Sequence, residues 1–214
     1  MVKRATNTAS TRERLIDVAV SLYGSRTIDA VSLREIGQAA EQKNPNVLQY
    51  HFGDRNGLLQ AIVDRHASRI GARREAYFER ASRGEWPPAE AVSRCLLMPI
   101  LDYVAETDDG LDFVCILSQL ASAPHGLFGL GDESAVEYPR PAELTRLFAE
   151  AFPDLPAAQA QQRIYLVVDT AFHASANIFR STDNLPATNP LADREAMCEQ
   201  LLLMIKAFVA CPAL

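Results

Sequence analysis

The chain has 214 residues, 48% of them hydrophobic, and a formal net charge of −6. This length and apolar content exclude a disordered protein and fit a soluble chain of one or two domains. No apolar run approaches the roughly 18 residues that a membrane-spanning helix needs, and the polar first residues do not resemble a secretion signal. A cytoplasmic location is therefore expected.

The charge is unevenly distributed along the chain. Residues 1–83 contain 14 Lys and Arg against 9 Asp and Glu, a net charge of +5. Residues 84–214 contain 7 against 18, a net charge of −11. A basic first part beside an acidic remainder favours a chain that presents one end to a polyanion and is repelled at the other.

Two helices are predicted at the start of the chain. Ser10 and Glu13 have the spacing of a capping box, so Ser10 is expected to begin the first helix. Gly24 is expected to end it, because glycine adopts the left-handed backbone that terminates many helices. The capping-box spacing recurs at Ser32 and Glu35, which predicts the start of a second, short helix.

A turn over residues 41–44 precedes a predicted third helix. Asn44 suits the N-cap of that helix, and Pro45 suits its first position, where a missing N–H costs nothing. The helix is expected to end near Phe52, and Asp54 to cap a long fourth helix. Two helices, a turn and a short helix form the helix-turn-helix arrangement, whose last helix enters the DNA major groove.

Polar and basic side chains lie on and beside the predicted third helix. Asn and Gln amides can bond adenine through two hydrogen bonds, and Lys and Arg contact phosphates. The alternative is a solvated polar surface helix without a partner. The residues expected to contact DNA are Arg34, Lys43, Asn44, Asn46, Gln49, Tyr50, His51 and Arg55.

The same stretch resembles the DNA-binding domain of the tetracycline-repressor (TetR) family of bacterial transcription regulators. The resemblance covers residues 11–62, about a quarter of the chain, and rests on an ordered series of short segments. These segments are Thr11–Ala19, Val31–Ile36, Leu48–Phe52 and Leu58–Leu59. The resemblance implies a small helical DNA-binding domain followed by a larger helical domain that binds a ligand and forms a dimer.

The resemblance also suggests roles for individual residues. Arg55 stands where the family has a lysine that contacts phosphate, and Tyr50 and His51 match positions that touch the DNA backbone or a thymine methyl group. For His51, packing within the domain is the alternative. The turn over residues 41–46 is about two residues longer than in the family, and Gln49 replaces a tyrosine. A DNA sequence recognised by relatives therefore cannot be transferred to this chain.

Residues 55–214 are predicted to be helical, with a long loop over residues 124–141 and another over 184–190. Pro99 interrupts one helix and leaves the carbonyl of Cys95 without its usual donor. The helices are expected over residues 55–82, 89–106, 111–121, 142–152, 156–181 and 191–209, with a break over residues 84–88.

The predicted architecture is all-α with about nine helices. A helix-turn-helix domain over residues 1–54 is joined by a long helix to a ligand-binding and dimerisation domain over 55–214. The helices over 156–181 and 191–209 have broad apolar faces, which favours a four-helix bundle formed with a second copy. The resemblance implies the same dimer, and an ordinary monomer core is the alternative.

A small-molecule site is expected among the middle helices, because such sites are mostly apolar with few polar groups. Asp169, His173 and Asn177 are spaced to form one polar stripe, in which Asp169 orients His173 toward a ligand. A hydrogen-bonded histidine at the dimer interface is the alternative. The candidate ligand-binding residues are Cys95, Met98, Phe113, Leu117, Phe128, Phe172 and His173.

The expected function is a homodimeric repressor that binds a near-palindromic operator in double-stranded DNA. An apolar or amphipathic inducer would release it by favouring a conformer with a tilted fourth helix. The four cysteines lack the spacing of a zinc site, so neither metal nor cofactor is expected, although a redox pair of Cys95 and Cys115 is an alternative. The rival classes are a helical-bundle ligand carrier or enzyme using Asp169 and His173, and a sequence-independent DNA-compacting protein.

Overall fold

The computed structural model describes residues 2–122, 136–139, 141–182 and 184–212, with side chains from residue 10 onward. The described residues form helices and no strand, which confirms the predicted all-α class. No helix among them is both long and apolar enough to cross a membrane. The helices are α1 (Val2–Ser25), α2 (Leu33–Ala39), α3 (Val47–Phe52), α4 (Arg55–Ser82), α5 (Pro88–Glu106), α6 (Gly110–Ser122), α7 (Ala142–Ala151), α8 (Ala157–Thr182) and α9 (Arg194–Ala210).

The predicted start of the first helix at Ser10 is wrong, because α1 begins at Val2 and Ser10 lies inside it. The predicted start of the second helix at Ser32 is confirmed. The Ser32 side chain accepts a hydrogen bond from the Glu35 N–H at 3.1 Å and caps α2.

The predicted start of the third helix at Asn44 and Pro45 is also wrong, because α3 begins at Val47. The Asn44 side-chain oxygen accepts a hydrogen bond from the Asn46 N–H at 3.0 Å, and the Asn44 carbonyl accepts one from the Val47 N–H. Asn44 therefore organises a turn before the helix instead of capping it. The same side-chain chemistry serves both purposes.

The turn between α2 and α3 contains one residue with a left-handed backbone. Glu41 has a φ of 56°, and Glu41 is the one non-glycine residue with positive φ among those described. Its carboxylate pairs with Arg14 of α1 at 2.5 Å. Since a side chain makes this conformation unfavourable, the turn depends on the surrounding packing to hold it.

The N-terminal helices pack around side chains of α1. Leu15, Ile16, Ala19 and Tyr23 are fully buried, and they belong to the hydrophobic core that continues into α4 through Leu58. This is the inward face that the helical spacing predicts.

Helix α1 also packs directly against α6. A Cβ atom added to Gly24 would lie 2.4 Å from the Cβ of Asp112, so only glycine permits this approach. The side chain of Gln119 bonds to backbone groups of Tyr23 and Ile28, at the end of α1 and just beyond it. The N-terminal helices are thus held by α6 as well as by α4.

The remaining helices form one bundle, in which α5 packs against α4, α7 and α9, and α8 packs against α6 and α9. The predicted consequence of Pro99 is confirmed, because the Cys95 carbonyl accepts a hydrogen bond from outside its helix, from Arg74 Nε at 3.0 Å. Leu191 lies in a short 3₁₀ turn, and α9 begins three residues later than expected, at Arg194. The predicted loop over residues 124–141 lies mostly outside the described residues.

Candidate nucleic-acid interface and ligand site

The short helix α3 is anchored on one side and open on the other. Val47 and Leu48 are buried against the neighbouring helices. Asn46 and Gln49 are exposed, and Tyr50 is 77% exposed, the largest value among the big hydrophobic side chains that the structure describes. Gln49 and Tyr50 therefore lie on the open side of a helix whose other side is anchored, with Asn46 just before it.

His51 lies between the open and the anchored side of α3. Its side chain is half-buried, and its ring meets Tyr50 edge-on at 5.0 Å and lies 6.0 Å from the Phe52 ring. Burial lowers the pKa of His51, and the nearby Arg12 guanidinium lowers it further. The neutral ring has one N–H to donate, so His51 is suited both to packing and to a single DNA contact.

Two of the basic residues predicted to contact DNA have no partner among the residues that the structure describes. Lys43 in the turn and Arg34 on α2 are exposed, and within the described part of the chain no acidic group or carbonyl pairs with either. Their charges are therefore available to an external anion at no cost in internal contacts.

Arg55 is placed differently. Its guanidinium donates a hydrogen bond to the Ile28 carbonyl and lies 3.9 Å from the Asp29 carboxylate. It thereby ties the start of α4 to the 3₁₀ turn over Ile28–Ala30. A phosphate contact from Arg55 remains a prediction, but the side chain also has a structural role that the sequence did not reveal.

Most of the predicted ligand residues lie in the hydrophobic core. Cys95, Phe113, Leu117 and Phe172 are buried, Met98 is half-buried, and Phe128 lies outside the described residues. The Phe113 ring stacks on His66 at 4.4 Å, whereas the Phe172 ring meets the edge of Tyr138 at 5.9 Å. The grouping of these two phenylalanines in one ligand site stays a prediction.

A buried polar cluster around His66 was not predicted. His66 is fully buried, and its Nδ1 lies 2.6 Å from the Tyr103 hydroxyl. Burial lowers the pKa of His66 to about 4, although Asp109, 3.9 Å from Nε2, acts in the opposite direction. Arg65 continues the cluster to α1 through an ion pair with Asp17 at 2.5 Å. The cluster connects α1 and α4 to the turn between α5 and α6.

An open cleft of about 500 Å³ lies beside this cluster, between α1, α4 and the turn from α5 to α6. Its walls are strongly charged, and none of the six predicted ligand residues that the structure describes contributes to them. The charged residues in the walls are Asp17, Arg65, Arg69, Glu106, Asp108, Asp109 and Asp112.

His173 makes the predicted contact with Asp169. Its Nδ1 lies 3.3 Å from the Asp169 carboxylate and 3.0 Å from the Asp169 carbonyl, and its Nε2 lies 2.8 Å from the Ser122 hydroxyl. The side of α8 that bears His173 is partly exposed and also contains Leu166 and Asn177. This placement favours the interface alternative for the polar stripe over a ligand contact.

The two buried cysteines offer little reactivity. Cys95 and Cys115 are buried reduced thiols. Burial raises the pKa of Cys95 to about 11 and also raises that of Cys115, so their thiolate forms are disfavoured at neutral pH. Within the described residues, no group of three His, Cys, Asp or Glu side chains is arranged to hold a metal ion.

No family model matches the sequence, and no curated protein matches it. Among solved structures, the chain is similar to a TetR-family regulator from Streptomyces coelicolor A3, with 17% sequence identity and a TM-score of 0.46. The match covers 94% of this chain and 95% of that chain. At this identity and TM-score the likeness does not assign a function, which has to be argued from the residues themselves.

Proposed function

We propose that the protein is a homodimeric transcription regulator of the TetR type that binds DNA through α3. The observation that carries this proposal is the surface of α3 and its surroundings. Gln49 and Tyr50 point outward from a helix that is fixed by a buried side, and Asn46 is exposed just before that helix. Lys43 and Arg34 have no internal partner among the described residues.

In this proposal the exposed side of α3 enters the major groove. The Asn46 and Gln49 amides bond base edges, adenine in particular, and so select the sequence. Lys43 and Arg34 contact phosphates, which fixes the helix in the groove but does not discriminate between sequences. The basic N-terminal part of the chain, with a net charge of +5 over residues 1–83, attracts the DNA.

A second copy is required because α3 is only 6 residues long and contacts few base pairs. Large apolar side chains remain exposed on α8 and α9, namely Leu166 at 49%, Leu203 at 53%, Met204 at 50% and Phe208 at 39%. We infer that these helices pair with their mates across a two-fold axis as a four-helix bundle. The two recognition helices would then meet half-sites about 34–36 Å apart.

A small molecule would control DNA binding by shifting the population of two conformers. The N-terminal helices are joined to the rest of the protein through α4 and through the contact of α6 with the end of α1. A ligand that favours another arrangement of α4 and α6 changes the separation of the two recognition helices. Coupling of about 1–3 kcal/mol would change operator affinity by roughly 5- to 150-fold and release a repressor.

The salt dependence of DNA affinity tests this proposal. Removing one phosphate contact lowers the slope of log affinity against log salt by about one for duplex DNA. Lys43→Ala and Arg34→Ala should each show this loss. Arg146→Ala in α7 is the matched control, since Arg146 is exposed and far along the chain, in an ion pair with Glu150. If the salt slope were unchanged in both the Lys43→Ala and the Arg34→Ala variant, α3 would not be the DNA-binding helix.

One observation favours the rival enzyme class and defines its test. Ser122, His173 and Asp169 have the order of contacts found in serine hydrolases, with the hydroxyl beside Nε2 and the carboxylate beside Nδ1. However, the Ser122 hydroxyl donates to the Ser118 carbonyl at 3.0 Å. It also lies in the last turn of α6, where unpaired carbonyls rather than N–H groups face outward and oppose an oxyanion.

A nitrophenyl ester assay separates the two classes. The regulator proposal expects hydrolysis no faster than with an equal concentration of a Ser122→Ala variant. Hydrolysis that requires Ser122 and saturates with ester concentration would establish the hydrolase instead.

A further inference from the structure

A buried arginine lies in the middle of the helical bundle. Arg74 on α4 is 4% exposed, and its Nε donates to the Cys95 carbonyl at 3.0 Å, the carbonyl that Pro99 leaves without a donor. Among the residues that the structure describes, no carboxylate lies within ion-pair distance of this guanidinium. A charge buried without a counter-charge is strongly unfavourable, and proteins keep one only where something else compensates for it.

A buried hydroxyl lies close to the same guanidinium. The Tyr138 hydroxyl is shielded from solvent, and no described group forms a hydrogen bond of good geometry with it. Burial raises the pKa of Tyr138, and the Arg74 guanidinium acts against that increase through its charge and as a nearby hydrogen-bond donor. The Tyr138 ring meets Phe172 of α8 edge-on at 5.9 Å, so this polar pair faces an apolar wall.

Helix α8 contributes a second unsatisfied group on the same buried side as Phe172. Ser175, one turn further along, is fully buried, and its hydroxyl also has no partner. Buried polar groups are almost always hydrogen-bonded in folded proteins, so each exception requires an explanation. Two of the three such atoms in the described chain belong to Tyr138 and Ser175, and the third is the hydroxyl of Tyr23 on α1.

We propose that Arg74 and the Tyr138 hydroxyl bind the carboxylate of a small organic acid whose apolar part lies against Phe172 and Cys95. The Arg74 Nε is engaged by the Cys95 carbonyl, which fixes the plane of the guanidinium. Its two terminal nitrogens then offer parallel N–H groups that match the two oxygens of a carboxylate. This inference rests on the proposed function, because the acid would be the inducer, and it narrows the ligand from any apolar molecule to an acid.

Matched acids and alcohols test the charge requirement. Titration calorimetry on the full chain without DNA, at pH 7.5, would compare benzoate with benzyl alcohol, octanoate with octanol and decanoate with decanol. At least one acid should bind with one molecule per protomer and at least tenfold more tightly than its alcohol. If no acid of the panel binds in preference to its alcohol, the proposal is wrong.

Variants of Arg74 assign the binding to this residue. Arg74→Met should weaken the acid roughly 10- to 150-fold, as expected for the loss of a charged hydrogen bond, and change the alcohol little. Arg73→Met is the control, because Arg73 is the next residue on α4 but pairs with Glu106 at the surface. Arg74→Lys keeps the charge but lacks the planar pair of N–H groups. Its affinity for the acid should therefore lie between that of Arg74→Met and that of the unaltered protein. An acid that binds Arg74→Met and Arg74→Lys as tightly as the unaltered protein would overturn the proposal.

Stability without ligand provides a second, independent result. Replacing Arg74 by methionine removes an unfavourable buried charge but also removes the donor to the Cys95 carbonyl, so the melting temperature of the ligand-free protein should change little if Arg74 serves a ligand. A clear fall in the melting temperature of Arg74→Met, not shown by Arg73→Met, would instead mean that Arg74 has only the structural role of satisfying the Cys95 carbonyl. None of these measurements uses DNA. The acid site can therefore be confirmed even if the protein binds no operator, and it can be disproved even if the protein does.

Discussion

The side-chain oxygen of Gln119 accepts a hydrogen bond from the backbone N–H of Ile28 at 2.7 Å, although the two residues are 91 positions apart in the sequence. The nitrogen of the same amide donates to the Tyr23 carbonyl at 2.9 Å. Carbonyls in the last turn of a helix have no partner within it, so α6 supplies the one that the end of α1 lacks. Any displacement of α6 therefore acts directly on the N-terminal helices.

Gln119→Ala should destabilise the protein and weaken the effect of an inducer on DNA binding. The Ile28 N–H and the Tyr23 carbonyl would both lose their partner, at a cost of about 1–3 kcal/mol in the free energy of unfolding. Urea denaturation measures the first effect, and operator affinity with and without inducer measures the second.

Gln119→Glu is the matched control for this experiment. The carboxylate still accepts from Ile28 but cannot donate to Tyr23, so its free energy of unfolding should lie between those of Gln119→Ala and the unaltered protein. Equal stability of all three proteins would show that the bridge contributes nothing.

His66 should make the protein less stable in acid. Its pKa is about 4 in the folded protein because burial disfavours the charged ring, whereas the ordinary value is 6.5. As the pH falls below about 6.5, the unfolded chain binds the proton first and is favoured. The contribution of His66 is complete above that pH and is lost progressively toward pH 4, by roughly 2–3 kcal/mol.

His66→Gln isolates this contribution, since an amide can still bond the Tyr103 hydroxyl but does not titrate in this range. The free energy of unfolding would be measured at pH 7.5 and at pH 4.5 for both proteins. The free energy of unfolding should fall less between pH 7.5 and pH 4.5 in His66→Gln than in the unaltered protein, by roughly 2–3 kcal/mol. Identical losses would mean that other groups account for the acid sensitivity.

Leu203→Glu should convert the proposed dimer into a monomer, because it places a charge where α9 would meet its mate. Mass measurement by light scattering during gel filtration reports the change directly. Leu191→Glu is the control, since Leu191 is also 53% exposed but lies in the 3₁₀ turn before α9. A monomeric unaltered protein, or a Leu203→Glu variant that remains dimeric, would contradict the proposed α8 and α9 interface.

Local chemistry explains which elements were predictable. The Ser32 and Asp54 side chains cap α2 and α4 as the sequence indicates, because a cap requires only residues within one turn. Asn44 was misassigned for the same reason, since its side chain stabilises a turn as readily as a helix start. Ser10 has capping-box spacing but lies inside α1, where the preceding residues continue the helix.

The candidate sites depended on contacts that sequence spacing does not determine. The bond from Arg55 to Ile28 joins residues 27 apart, and the contact between Ser122 and His173 joins residues 51 apart. A signal for the buried polar groups was nevertheless present. His66 and Arg74 fall in the four-residue spacing of Ile62, Ile70 and Phe78, so helical geometry places both on the buried side of α4.

The most direct test of the central claim is selection of bound sequences from a random DNA pool by the purified protein at about physiological salt. The account predicts a two-fold symmetric motif whose half-sites are about one helical turn apart. Asn46→Ala should relax the preference at defined positions of each half-site, whereas Lys43→Ala should keep the motif and bind it more weakly. No enriched motif, or an enriched motif without symmetry that both variants leave unchanged, would contradict the assignment of α3 as the recognition helix of a dimeric regulator.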